Sequence, residues 1–108
     1  MNDSEFSAIS DNLFQYITRT LDASGADLDF VQTDSGCFEI ETGGAGKIVV
    51  NRHEISREIW AAARSGARHF RWDGKEWRDT RSGETIRKAL SEFILSEAGV
   101  AISFDQEF

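Results

Sequence analysis

The spacing of apolar residues along this chain changes period twice, and that change constrains the fold more than any other feature. Phe6, Ile9, Leu13, Ile17 and Leu21 recur every three or four residues and form the stripe of an amphipathic helix. Beyond Gly25, a natural helix terminator, apolar side chains recur at every second position: Leu28 and Phe30, then Phe38 and Ile40. After Ser82 the helical period returns with Ile86, Ala89 or Leu90, Phe93 and Ala98, and Gly99 stops it. A chain written helix, strands, helix buries all three apolar surfaces by laying both helices on the same side of its strands. The expected fold is therefore α+β, a two-layer sandwich with N- and C-terminal helices packed on one face of an antiparallel β-sheet.

Local signals sharpen this outline. Asp3 or Ser4 is expected to cap the first helix, with Glu5 favourable in its first turn. Asp27 to Phe30 reads as a strand with Asp27 and Asp29 on one face. Asp34-Ser35-Gly36 is a turn, and Cys37 to Thr42 is a strand with Phe38 and Ile40 inward and Glu39 and Glu41 outward. Gly43-Gly44-Ala45-Gly46 is a second turn, leading into the strand Lys47 to Arg52. His53 to Arg64 keeps helical spacing at Ile55, Ile59 and Ala63, and its alanines favour helix, so pattern alone predicts a helix there. Asp73-Gly74, between His69–Trp72 and Glu76–Arg78, suits a type I′ hairpin turn. Ser82 is the expected N-cap of the second helix, and a short apolar tail, Val100 to Phe104, follows it. At 108 residues the chain reads as one domain, residues 1–108.

Composition removes several functions. A net charge of −7 has the wrong sign for a surface that must neutralise phosphates, so nucleic acid is not an expected partner. One cysteine, Cys37, and two histidines, His53 and His69, provide neither a disulfide nor a structural zinc set, and offer little from which to assemble a nucleophilic enzyme. All three read as ordinary strand, surface or loop residues. The string Gly43 to Lys47 imitates part of a phosphate loop, but Glu41 and Ile48 stand where glycine and a magnesium-holding hydroxyl are needed. The start shows no basic and apolar leader, and no run approaches the roughly 20 apolar residues of a membrane span. A reducing, cytoplasmic location is expected.

The charge is unevenly placed. Residues 1–46 hold nine acids and one base, Arg19, while residues 47–88 hold eleven bases and six acids. Asp22 falls near the negative end of the first helix dipole, and Asp27 and Asp29 follow closely, so three like charges gather there. Exposed carboxylates of this kind are hard ligands for iron, manganese, calcium or magnesium, or else simply keep a surface soluble. Asp11 and Asp22 share a helix face but lie about 16 Å apart at 1.5 Å per residue, too far to hold one ion.

Several stretches together resemble the bacterial members of the frataxin family. These are Met1-Asn2-Asp3-Ser4-Glu5-Phe6, the strand Lys47-Ile48-Val49-Val50-Asn51-Arg52 followed by Trp60, and Asp73-Gly74 through Glu76-Trp77 to Arg81-Ser82-Gly83-Glu84-Thr85. They run in order over nearly the full chain, leaving only the tail after Gly99 outside. The resemblance implies a strand at Ile59 to Ala63, which is adopted here over the helical pattern. It also implies a non-enzymatic, monomeric regulator or adaptor of iron–sulfur cluster assembly that binds ferrous or ferric iron weakly and docks on the cysteine desulfurase and the scaffold protein. An iron store or ferroxidase-like iron chaperone is the alternative. Carried over residue by residue, the iron-binding acidic ridge is Asp3, Glu5, Asp11, Asp22, Asp27 and Asp29. The partner-binding residues are Asp22 together with an exposed sheet patch of Asn51, Arg52 and Trp60, unless Trp60 is only a rim residue covered by Arg64. The ridge is thinner than the family's, with Thr18, Arg19, Ala23, Val31 and Thr33 at positions where further acids are usual. His53 and Ile55 replace the family's glutamine and proline, so a differently shaped loop is expected after Arg52.

Overall fold

In the computed structural model, which describes residues 1–34, 36–43 and 46–104, Asn2 opens the first helix. The Asn2 side chain accepts from the Glu5 amide at 2.8 Å, and the Glu5 carboxylate accepts from the Asn2 amide at 3.2 Å, a reciprocal capping box. The cap is thus one residue ahead of Asp3, because the Glu5 that was read only as a dipole partner also closes the box. Helix α1 runs Asp3–Ser24 and ends at Gly25, whose φ of 70° places it in the left-handed region.

Among the described residues six strands follow: β1 Phe30–Asp34, β2 Cys37–Gly43, β3 Gly46–His53, β4 Glu58–Ala63, β5 Gly66–Trp72 and β6 Trp77–Asp79. They pair antiparallel in chain order, and helix α2, Ile86–Ala98, completes the two-layer α+β sandwich. The parts of the two expected turns formed by Ser35, Gly44 and Ala45 lie outside the described residues.

Other elements also differ from the local expectations. The Asp27–Phe30 alternation survives in burial, with Leu28 and Phe30 against the core and Asp27 and Asp29 exposed, but the strand proper starts only at Phe30. Within the run read as helical, Glu58–Ala63 is β4, as the family resemblance implied. Glu58 to Ala62 pair with β3 on one side and all six residues pair with β5 on the other, and that double ladder outweighs the alanines' modest helical preference. Helix α2 is capped by Thr85 rather than Ser82, its hydroxyl accepting from the Lys88 amide at 3.3 Å. Ser82 instead sits in a turn closed by Asp79, which accepts from the Arg81 and Ser82 amides at 2.7 and 3.2 Å.

The core lies between the helices and the inner sheet face. Phe6, Leu13, Phe14, Ile17, Phe38, Ile40, Ile48, Val50, Ile59, Phe70, Trp77, Ile86 and Leu90 are all essentially inaccessible. Burying each such large side chain stabilises the fold by about 1.5–3 kcal/mol. Trp77 is wedged between Phe6, 6.1 Å away edge-on, and Trp72 at 5.5 Å. The tail turns back on this core, with Ile102 and Phe104 buried, Ser91 donating to the Ile102 carbonyl at 2.8 Å and Arg87 to the Phe104 carbonyl at 3.1 Å. The hairpin joining β5 and β6 is longer than a type I′ turn. Asp73 accepts from the Lys75 and Glu76 amides at 2.8 and 2.7 Å, and its own amide donates to the Glu76 carbonyl at 3.0 Å.

Candidate functional site

The six ridge acids divide by what they touch. Asp3 is paired at 2.7 Å with Arg57, from the turn between β3 and β4, where Arg57 holds a φ of 54°. Asp11 is paired at 2.7 Å with Arg52 of β3. Glu5 is engaged in the capping box. Asp22, in the last turn of α1, and Asp27 and Asp29, in the link to β1, are exposed and form no ion pair among the described residues. No basic residue lies in that last turn to offset the helix dipole. Among the described residues no three acids, histidines or cysteines gather closely enough to hold a metal ion. The donors are hard oxygens, and one or two carboxylates completed by water make a weak arrangement for a hard cation rather than a cage.

Arg52 does not belong to the exposed sheet patch. Strand β3 places Ile48, Val50 and Arg52 on the side facing the helices, and the Arg52 side chain, 7% exposed, runs beneath α1 with its guanidinium 5.5 Å from the Phe14 ring centre. It ties sheet to helix through Asp11. Strand parity carried that signal, since a side chain two positions beyond an inward Val50 also points inward.

The open face of the sheet is organised by register. Cys37 lies opposite Asn51, Asn51 opposite Trp60, and Trp60 opposite His69, so one row crosses four strands. Trp60 is half-buried. His53 stacks on one indole face at 4.0 Å and His69 on the other at 4.1 Å, both within 5° of parallel; these two, not Arg64, cover it. The indole N–H donates to Glu58 Oε1 at 2.8 Å, and Arg71 Nε donates to Glu58 Oε2 at 3.0 Å. Burial pushes the Glu58 carboxyl up, but the hydrogen bonds from Trp60 and Arg71 together hold it below the usual glutamate value. His53, Glu58, His69 and Arg71 were thus missed as participants, because only the pairing of β4 with β5 brings them beside Trp60.

Elsewhere a groove of about 560 Å³ lies between α1 and the tail, lined by Tyr16, Arg19, Thr20, Ser24, Ile102 and Ser103. No helix of the described residues is long and apolar enough to cross a membrane.

Comparison with known proteins gives these surfaces a context. A family model described as a frataxin-like domain matches residues 1–100. An iron-sulfur cluster assembly protein CyaY of Dechloromonas aromatica is 48% identical over 102 residues, covering 94% of this chain and 97% of that one. The protein of the same name from Paraburkholderia phymatum is 39% identical over 99 residues, covering 92% and 93% of the two chains. Among solved structures, the frataxin of Psychromonas ingrahamii, studied within the CyaY protein family, superposes with a TM-score of 0.92 at 30% identity, covering 98% of this chain and all of that one. With the fold, the chain order and these matches in agreement, this chain belongs to the frataxin family and falls among its CyaY members.

Proposed function

We propose that this chain serves iron–sulfur cluster assembly as an iron-binding regulator and adaptor. Its acidic ridge docks on a basic surface of the cysteine desulfurase, and its open sheet face, centred on Asn51 and Trp60, meets the scaffold protein. The observation that carries this reading is the division of the ridge: Asp22, Asp27 and Asp29 stand exposed without ion pairs among the described residues, whereas Asp3 and Asp11 are already neutralised by Arg57 and Arg52. The names of the CyaY relatives support the process. Unpaired carboxylates on a protein of net charge −7 speed encounter with a cationic partner and make the association salt-sensitive. The same three acids are the place where iron costs least, because no arginine has to be displaced. Arg52 acts by holding Asp11 and the helix, not by touching a partner.

Titrating ferrous iron anaerobically into isotope-labelled protein tests the metal part. Paramagnetic broadening is expected first at the amides around Asp22, Asp27 and Asp29, with those around Asp3 and Asp11 following only at higher iron. If residues 3 to 29 keep their signals at excess iron, the chain is a metal-indifferent binding module.

A further inference from the structure

The sheet's open face carries an arrangement for which the ridge has no use. Both faces of the Trp60 indole are covered by imidazoles, at 4.0 and 4.1 Å, and its N–H is committed to Glu58. What this stack can offer a partner is therefore the indole edge and the outer surfaces of His53 and His69. Imidazole is the side chain that changes charge between about pH 5 and 8.

Each imidazole has an aromatic face and a polar group beside it. An imidazolium is attracted to an indole face, and here the indole lies between the two rings and keeps their charges apart. His69 Nδ1 lies 3.9 Å from Glu58 Oε1, and His53 Nδ1 lies 2.9 Å from the Ser56 hydroxyl. The charged groups facing the stack are few. Strand β4 contributes Glu58, already hydrogen-bonded by Trp60 and Arg71, and β5 contributes Arg71, whose side chain is two-thirds exposed. Arg78 of β6 stands opposite Arg71 but is paired with Asp73 at 2.7 Å. Toward β2, Glu39 and Lys47 satisfy each other at 3.0 Å and Cys37 stands opposite Asn51; the turn adds the exposed Glu54.

We propose that the His53–Trp60–His69 stack is a proton-operated recognition surface. With both imidazoles protonated, they and Arg71 form a cationic stripe across β3, β4 and β5 that takes a carboxylate-bearing segment of the docking partner. When the imidazoles are neutral, Arg71 alone remains, largely compensated by Glu58. The occupant is acidic because the stripe presents cations and Glu58 is spent on its neighbours. This inference rests on the sheet-face docking proposed above and adds its regulation.

The test compares scaffold affinity at constant ionic strength at about pH 6 and about pH 7.8, the two sides of the imidazole range. The proteins are the full-length wild type, Trp60→Ala, and the double variant His53→Gln/His69→Gln. The double variant carries any titration of the scaffold itself, so the quantity read is the wild type's pH ratio divided by the double variant's. That quotient is expected to be about fivefold in favour of the lower pH, two modest exposed charge pairs' worth. A quotient of one overturns the proton-operated surface, while a loss of binding by Trp60→Ala at both pH values keeps the docking reading standing. If Trp60→Ala binds like the wild type throughout, the docking reading falls and takes this inference with it. In the free protein the Trp60 indole N–H resonance should move through the imidazole range in the wild type and stay still in the double variant; a static wild-type signal also overturns the proposal.

Discussion

Replacing Asp11 by asparagine separates an acid tied into the fold from the exposed acids of the ridge. The Arg52 side chain is 7% exposed and its partner Asp11 carboxylate 53%, so the pair lies between a surface salt bridge and a buried one. Surface pairs contribute about 0.2–1 kcal/mol, and breaking a fully buried pair costs about 3–5 kcal/mol. With one partner buried and the other screened by water, Asp11→Asn should cost about 1–2 kcal/mol. Arg52→Met should cost at least as much, because it also removes the cation from the Phe14 ring. For a chain of this length 1 kcal/mol corresponds to roughly 4 °C in Tm, giving a fall of about 4–8 °C for Asp11→Asn. Asp22→Asn removes a negative charge from the negative end of α1 and should leave Tm unchanged or raise it slightly. The assay is thermal unfolding by circular dichroism, with the Asp11→Asn/Arg52→Met double variant closing a cycle whose coupling should be about 1 kcal/mol. Equal melting temperatures for Asp11→Asn and Asp22→Asn would refute the division of the ridge.

Two further outcomes follow from the same bonding pattern. Glu76→Gln breaks a nearly buried pair, in which Arg87 donates to both Glu76 oxygens at 3.0 and 2.7 Å, and should destabilise the fold by about 3 kcal/mol in urea unfolding. Arg87 also holds the Phe104 carbonyl, so exchange protection around Ile102 should fall with it. Asp73 titrates at about 2, held down first by the Glu76 amide, then by the Lys75 amide and Arg78. A lowered folded-state pKa gives stability that is complete above the ordinary aspartate value and lost as pH falls through about 2. Carboxyl NMR should find this midpoint, and Asp73→Asn should abolish that part of the acid-side loss.

The two changes of apolar period contained most of the architecture, because burial on a helix and on a strand imposes different spacings that survive in the residues themselves. Strand β4 was not legible from pattern. Ala61, Ala62 and Ala63 are small enough for either state, and the decision rests on β3 and β5, which local propensity does not see. The ridge was legible as charge but not as chemistry. Arg57 reaches Asp3 from 54 residues away through a turn at positive φ, and no spacing rule announces that pair. Arg52 was different: its parity with Ile48 and Val50 already placed it inward, against the exposed role carried over from family resemblance. The imidazole stack needed the β4–β5 register, which sets His69 opposite Trp60.

The central claim is that Asp22, Asp27 and Asp29 form the unpaired, partner-facing end of the ridge. Desulfurase affinity measured at low salt for the wild type and for the triple variant Asp22→Asn/Asp27→Asn/Asp29→Asn tests it most directly. Loss of three exposed charge contacts should weaken binding about tenfold and flatten its salt dependence, with the melting temperature preserved. Unchanged affinity in the triple variant, or an equal loss from Asp11→Asn alone, would contradict the account.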